Sequence, residues 1–293
     1  MLPRIASFYH AETSTFTHVV YDRDGGRAAI IDPVLDFDLA SARTSTVTAN
    51  GVLEFVIQHE LGVDWILETH AHADHLSAAA HLKAQTGAGV GIGRGICQVQ
   101  SHFKALFGLE EDFPTDGSQF DRLFEDGDRF DIGELSCTVL ATPGHTDDSL
   151  TYLVEDAAFV GDTVFAADTG SARADFSGGD AHKLYRSIQK LFALPPETRI
   201  FLCHDYPLAH REVQSQSSVG EQRSHNIHAG AGISEQRFVQ LRSARDATLP
   251  IPRLMLPALQ VNIRAGNLPR GDANGIRYLR LPLDQLGSTS CLE

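Results

Sequence analysis

Cysteine pairs, long apolar runs and an excess of positive charge are all missing from this sequence. Its four cysteines, Cys97, Cys137, Cys203 and Cys291, form no Cys-x-x-Cys pair, which argues against a disulfide framework or a thiolate zinc site. No apolar run approaches the roughly 20 residues that a membrane-spanning helix needs, and the first residues carry no targeting signal. The formal net charge of −14 argues against nucleic acid or an anionic membrane as a partner. We therefore expect a protein of the reducing cytoplasm.

Lysine is also missing from the last third of the chain. Residues 1–198 carry a net charge of −17, whereas residues 199–293 carry +3, and all 11 basic residues in that second part are arginines. The arginine side chain is a planar fork that grips a carboxylate with two hydrogen bonds, which lysine cannot do. We expect most of these arginines to form ion pairs and a subset to bind an anionic substrate.

What the chain does contain is an alternation of short apolar runs with helical patterns over 293 residues. The strand-like runs include 63–69, 136–141, 150–154, 157–160 and 199–203. The helical patterns cover 52–61, 76–85, 96–107, 180–192, 217–227 and 235–246. Asp126-Gly127 predicts a hairpin turn, and a segment punctuated by prolines, 249–282, follows the last helix. This alternation predicts an α/β sandwich.

The strand 63–69 ends in a dense cluster of potential metal ligands. The cluster comprises His70, His72, Asp74 and His75. Imidazole and carboxylate groups ligate borderline divalent metals, and side chains at a strand end lie at the edge of a sheet. A single histidine would be more typical of an ordinary polar residue, but four such groups within six positions indicate a metal site. Asp74 has a second interpretation, as the N-cap of the helix at 76–85.

Three later strands end in a residue of the same kind. His145 follows a sharp Pro-Gly turn, Asp162 follows Gly161, and His204 follows the strand 199–203. The glycine before Asp162 lets two backbones approach each other. Each of these residues alone would be more typical of a turn. Together with the first cluster they form a set of seven candidate ligands.

The order of these motifs resembles that of the metallo-β-lactamase superfamily. A Thr-His-x-His-x-Asp-His core, a Pro-Gly-His turn, a Gly-Asp pair and Cys-His-Asp-Tyr follow one another. Within the superfamily, the chain is most similar to the glutathione-persulfide dioxygenases of the ethylmalonic-encephalopathy-protein type, in their bacterial branch. The stretches that carry this similarity are 68–75, 161–165, 172–176, 203–206, 221–223 and 260–266.

The resemblance implies an αββα sandwich in a single domain, 1–293, with the metal in a cleft at one edge of two sheets. Residues 1–210, approximately, would form the sandwich. The remainder, about 211–293, would be a helical and irregular C-terminal extension that packs on the sandwich and completes the cleft.

The resemblance also implies one Fe(II) per chain, held by His70, His145 and Asp162. Two histidines and one carboxylate leave open positions on the metal, as in non-haem iron oxygenases. The implied reaction uses O₂ to oxidise the terminal sulfur of glutathione persulfide to sulfite and releases glutathione; the implied assembly is a homodimer. The other members of the set would be hydrogen-bond partners of the ligands or proton relays. They are His72, Asp74, His75 and His204.

Glutathione carries two carboxylates and an amine, and four residues are candidates for binding them. They are Arg173, Tyr206, Asn262 and Arg264. Arg173 has an alternative interpretation as an ion pair with Asp175, and Tyr206 as a structural residue. Asn262 and Arg264 lie in a stretch that matches the family.

Two other functions are compatible with the same motifs. A binuclear zinc hydrolase of the glyoxalase II type, which splits a glutathione thioester, would use all seven ligands around two zinc ions. A sulfur-binding module without catalysis is the other alternative, but such a module has no physical need for open metal positions.

Overall fold

The fold is built on strands that alternate with helices, as the computed structural model shows for residues 2–207 and 211–286; Cys291 lies outside these described residues. The described residues form 15 strands and seven helices. The strands are β1 (Arg4–His10), β2 (Thr15–Tyr21), β3 (Arg27–Ile31), β4 (Val34–Asp38), β5 (Arg43–Ser45), β6 (Gly62–Leu67), β7 (Leu76–Ser77), β8 (Gly89–Gly93), β9 (Arg122–Phe124), β10 (Arg129–Ile132), β11 (Leu135–Ala141), β12 (Leu150–Val154), β13 (Ala157–Phe159), β14 (Arg199–Phe201) and β15 (Gln216–Ser218). The helices are α1 (Val47–Gln58), α2 (Ala79–Thr86), α3 (Ile96–Phe107), α4 (Ala181–Phe192), α5 (Val219–His225), α6 (Glu235–Asp246) and α7 (Met255–Asn262).

Two six-stranded sheets carry the fold. The first has the order β1-β2-β3-β6-β8-β9 and is parallel from β3 to β9. The second has the order β10-β11-β12-β13-β14-β15, and in it only β13 and β14 are parallel neighbours. Because β12 is antiparallel to both β11 and β13, the strands β11, β13 and β14 run in one direction and end at the same edge. A small third sheet joins β5, β4 and β7.

Side chains on alternate positions of the strands enter different cores, which arranges the molecule in layers. In β3, Ala29 and Ile31 pack between the two large sheets, whereas Ala28 and Ile30 face α1, α2, α3 and α7. On the other side of the second sheet, α4, α5 and α6 contribute Leu184 and other apolar side chains to a third core. The order helix, sheet, sheet, helix confirms the predicted αββα fold.

Several predicted elements have the expected bounds, and α3 and α6 match them residue for residue. Asp180 precedes α4 as its N-cap and accepts hydrogen bonds from the amides of His182 and Lys183. Within the described part of the chain, the three cysteines are unpaired. No helix there is both long and apolar enough to cross a membrane.

Three local predictions were wrong. Leu76 and Ser77 pair with β4, so α2 begins at Ala79 after an Ala78 cap, and Asp74 is not its N-cap. Asp126-Gly127 does not form a hairpin turn, because β9 belongs to the first sheet and β10 to the second. The segment punctuated by prolines contains the helix α7.

Candidate metal centre

The seven candidate ligands lie where four strands end. His70, His72, Asp74 and His75 follow β6 of the first sheet. The other three follow strands of the second sheet that end at one edge: His145 after β11, Asp162 after β13 and His204 after β14. Sequence analysis predicted this grouping because each residue comes directly after an apolar strand.

Three of the histidines are anchored through one ring nitrogen and leave the other without a partner. The Nδ1 atom of His70 lies 3.0 Å from the Thr69 hydroxyl, and that of His75 lies 3.1 Å from the Leu76 carbonyl oxygen. The Nδ1 atom of His204 lies 3.2 Å from the Ser14 carbonyl oxygen. In all three rings Nε2 is buried without a hydrogen-bond partner among the described residues. This is the arrangement of a metal-ligating histidine, whose second nitrogen is fixed by a hydrogen bond.

His145 and Asp162 are positioned by glycines that cannot be replaced without strain. At Gly144 a Cβ atom would lie 2.2 Å from the Leu184 amide nitrogen, and at Gly161 it would lie 2.6 Å from the Thr69 hydroxyl. Both glycines also have positive φ angles, of +138° and +51°. The Nδ1 atom of His145 donates to the backbone carbonyl of Arg173 at 2.7 Å, which directs its Nε2 atom toward Asp162.

The unsatisfied atoms converge. Ligand atoms of His70, His145 and Asp162 lie within 4.8 Å of one another. The Nε2 atom of His204 lies 3.3 Å from Asp162 Oδ1 and 3.4 Å from Asp74 Oδ2. Burial lowers the pKa of His70 well below its ordinary value, which favours the neutral imidazole that metals require. Buried nitrogen and carboxylate atoms that face one another without other partners fit a bound metal cation.

In His72 the roles of the two ring nitrogens are reversed: Nε2 faces protein partners and Nδ1 does not. Its Nε2 atom lies 2.9 Å from Asp32 and 3.5 Å from Glu68, and its buried Nδ1 atom has no hydrogen-bond partner among the described residues. Burial alone would lower the pKa of His72, but the Asp32 and Glu68 carboxylates outweigh burial and raise it well above the ordinary value. His72 is therefore held by carboxylates through Nε2, and its ligand atom also lies within 4.8 Å of those of Asp74 and His75.

Two buried carboxylates, neither of them predicted from the sequence as a functional residue, hold the segment 68–77 that carries the first four ligands (the histidine loop). Asp32 accepts from the Thr69 amide at 2.7 Å and from its hydroxyl at 2.9 Å, in addition to its contact with His72. Asp148 accepts from the Ala71 amide at 2.8 Å. Asp32 follows the apolar strand β3, so the strand-end signal that found the ligands would also have found it. No such signal marks Asp148.

A cavity of about 290 Å³ opens above the converging atoms. Asp74, His145 and Asp162 form its floor, and Phe165 and Phe176 are part of its wall. The C-terminal extension contributes four more residues to the wall: Arg242, Arg245, Leu249 and Pro252. A small molecule in this cavity would contact the predicted ligands directly.

Two of the predicted substrate-binding residues lie in the cavity wall. The Arg173 guanidinium binds both carboxylate oxygens of Asp175, at 2.6 and 2.8 Å, and the Pro250 carbonyl oxygen at 2.6 Å. The alternative interpretation of Arg173 as an ion-pair residue therefore describes its side chain. The Tyr206 ring stacks on His204 and is 44% exposed, so it is not buried.

The other two lie elsewhere, which corrects the expectation that they reach the cleft. Asn262 is buried; its amide nitrogen donates to the carbonyl oxygens of His72 and His75, and its oxygen accepts from the Ser77 amide, each at 2.8 Å. It fixes the histidine loop. Arg264 pairs with Glu110 at 3.0 Å and lies over the Phe113 ring, in a separate pocket.

Comparison with known proteins agrees with this geometry. The profile of the "Metallo-beta-lactamase superfamily" matches residues 12–204. The chain is 52% identical over 98% of its length to a "Beta-lactamase hydrolase-like protein" of Agrobacterium fabrum, of which it spans 67%. It is 44% identical to "Glyoxylase B2" of Dictyostelium discoideum, over 97% of this chain and 98% of that protein.

Two further proteins that the chain resembles carry a different name. The chain is 28% identical to the human "Persulfide dioxygenase ETHE1, mitochondrial", over 89% of this chain and 88% of that protein. The crystal structure of ETHE1 from Myxococcus xanthus superposes with a TM-score of 0.70 at 30% identity, over 91% of this chain and 100% of that one. With its fold, its ligand cluster and these matches, the chain belongs to the metallo-β-lactamase superfamily.

Proposed function

We propose that the chain is a persulfide dioxygenase that oxidises glutathione persulfide at one non-haem Fe(II). The observation that carries this proposal is the compact group formed by His70, His145 and Asp162, two of which line the cavity floor. Two imidazoles and one carboxylate are the ligand set of non-haem iron oxygenases. The similarity to a named persulfide dioxygenase and to an ETHE1 crystal structure supports the same reaction.

In this reaction, glutathione persulfide, dioxygen and water yield glutathione, sulfite and two protons. An Fe(II) held by His70, His145 and Asp162 would supply open coordination positions for a sulfur anion and for dioxygen. The chain's own residues hold the site in shape: the Arg173 carbonyl orients His145, and the Thr69 hydroxyl orients His70. Phe165 and Phe176 add apolar surface to the cavity beside these ligands.

The metal content and the reaction can be tested together. We expect protein purified without oxygen and without chelator to contain one iron per chain, and to consume O₂ when glutathione persulfide is added. Sulfite should form in equal amount to the O₂ consumed. Two zinc ions per chain, with no O₂ uptake by iron-reconstituted protein, would refute the proposal.

A binuclear zinc thioester hydrolase is the second candidate, and one observation favours it. The Nε2 atoms of His75 and His204 are also buried and unpartnered among the described residues, and His204 faces both Asp74 and Asp162. These residues could hold a second ion. The name of the Dictyostelium relative, "Glyoxylase B2", is consistent with this chemistry. Hydrolysis of S-lactoylglutathione by zinc-loaded protein, measured beside O₂ uptake by iron-loaded protein, separates the two candidates.

A further inference from the structure

Three guanidinium groups lie in the wall of the cavity above the metal centre, and two of them are occupied by the protein itself. Arg173 uses its fork on Asp175 and its remaining nitrogen on the Pro250 carbonyl. Arg242 is buried, pairs with Asp246 at 2.6 Å and donates to the Ser171 carbonyl at 2.9 Å. The charge of each of these two groups is therefore already paired with a carboxylate of the protein.

Arg245 is the third guanidinium, and its situation is different. It lies in the last turn of α6, is exposed, and lines the same cavity as His145 and Asp162. Its side chain forms no hydrogen bond or ion pair with any residue in the ranges 2–207 and 211–286. A planar donor fork that faces a cavity and has no internal partner is suited to binding a carboxylate with two hydrogen bonds.

The carboxylates around the cavity indicate what the Arg245 guanidinium would do there. Asp74 and Asp162 lie on the floor, and the part of the chain before residue 199 is strongly acidic. A bound metal ion would offset these two carboxylates, so a substrate that brings its own carboxylates into the cavity needs a separate cation in the wall to pair with them. Arg245 is the cation in the wall that is not already neutralised by a contact within the described chain.

On this basis, and resting on the proposed function, we propose that Arg245 binds a terminal carboxylate of the glutathione moiety and makes the enzyme select the tripeptide over simple thiols. Arg253 is also exposed, but it lines a neighbouring cavity that shares only Asp74 with the ligand set. Arg245 lines the cavity that contains His145 and Asp162. It is therefore better placed than Arg253 to bind a substrate whose sulfur lies at the metal centre.

The proposal is tested by glutathione binding to metal-loaded protein, measured by isothermal titration calorimetry. We expect Arg245→Ala to weaken glutathione binding about tenfold, as loss of a charged hydrogen-bonded contact does. Arg237→Ala is the matched control, because Arg237 lies on the same helix, is exposed and does not line the cavity. It should change the affinity less than about twofold.

Two ligand analogues identify the carboxylate. One is glutathione ethyl-esterified at glycine, and the other has 4-aminobutyrate in place of the glutamyl residue. One of them should bind wild-type protein about tenfold more weakly than glutathione, yet bind the Arg245→Ala variant as glutathione does. The proposal would be overturned if each analogue lost the same affinity in wild-type protein and in Arg245→Ala. It would also be overturned if Arg245→Ala bound glutathione as tightly as the wild type, or if the wild type bound no glutathione.

Oxygen uptake separates this result from the proposed reaction. If the binding cycle succeeds and no O₂ is consumed with glutathione persulfide, the dioxygenase proposal fails and the role of Arg245 stands. If O₂ uptake is normal and Arg245→Ala leaves KM unchanged, only the role of Arg245 fails.

Discussion

The floor and the wall of the cavity differ in how their polar groups are satisfied. The floor, formed by Asp74, His145 and Asp162, and the histidines around it contain buried nitrogen and oxygen atoms that have no hydrogen-bond partner within the described chain. The wall, formed by residues 165–176 and 242–252 of the cavity lining, consists of apolar rings and of guanidinium groups that are mostly paired. The polar atoms of the floor thus lack partners that a metal ion would supply, whereas two of the three guanidinium groups in the wall are paired within the protein and only Arg245 is not. This difference separates the residues that determine the chemistry from those that select the substrate.

The largest effect should follow from removing a ligand on the floor. His145→Ala should lose the metal and reduce activity by more than about 100-fold, because even the loss of a hydrogen-bond partner of a metal ligand costs about 10- to 100-fold. The fold should persist, since His145 lies in a loop after β11 and belongs to none of the apolar cores. Metal analysis, O₂ uptake and circular dichroism check these points. If the circular dichroism spectrum of His145→Ala showed loss of secondary structure, His145 would be needed for folding as well as for metal binding.

A smaller effect should follow from removing the support of the floor. Asn262→Ala removes three hydrogen bonds to the histidine loop, which should cost about 3 kcal/mol of unfolding free energy and weaken metal binding at least about tenfold. Asn267→Ala is the control, because its side chain only bonds locally to the Arg264 carbonyl. Equal metal affinity of the two variants in a chelator competition would contradict this role.

The next prediction concerns the strand that carries His204. His18 is buried and lies 2.9 Å from the Leu202 carbonyl oxygen, and burial lowers its pKa to about 4. Between about pH 6.5 and pH 4 the unfolded chain binds a proton that the folded chain does not, so stability falls as the pH falls. At pH 5 the loss from this group should be about 2 kcal/mol. Urea unfolding of metal-free protein should show a weaker pH dependence in His18→Gln than in the wild type; equal slopes would exclude His18 as the source.

The smallest effect should come from the wall. Arg173→Ala should retain the metal and raise KM roughly fivefold, about 1 kcal/mol, because Arg173 braces Asp175, Pro250 and the Phe176 ring beside the cavity. Steady-state O₂ uptake and metal analysis measure both quantities. Loss of metal would show that the wall supports the floor, and an unchanged KM would remove Arg173 from substrate selection.

The sequence predicted the floor better than the wall, for a physical reason. Each ligand follows an apolar strand directly, so its position depends on local pattern. The wall depends on long-range contacts: Arg245 comes from α6, and no local signal shows that it faces the metal centre rather than solvent. The same limit explains Asn262, whose motif was recognised while its partners, about 190 residues earlier in the chain, were not.

The wrong local predictions have similar causes. Leu76 and Ser77 continue a helical pattern, but pairing with β4 extends them, so that tertiary contact overrides propensity. The helix α7 contains Pro257 and lies in the proline-punctuated segment for which no helix was predicted. Pro257 occupies the first turn, where the backbone amide that proline lacks would have no helical partner in any case.

The three bonds of Asn262 also bear on how this protein can be divided. A residue from the last helix holds the backbone of the loop that carries the first metal ligands, so the sandwich and its extension are not interchangeable modules. A chimera that joins this sandwich to a relative's C-terminal segment must supply an amide at the same place. Otherwise the histidine loop loses its anchor before any substrate is encountered.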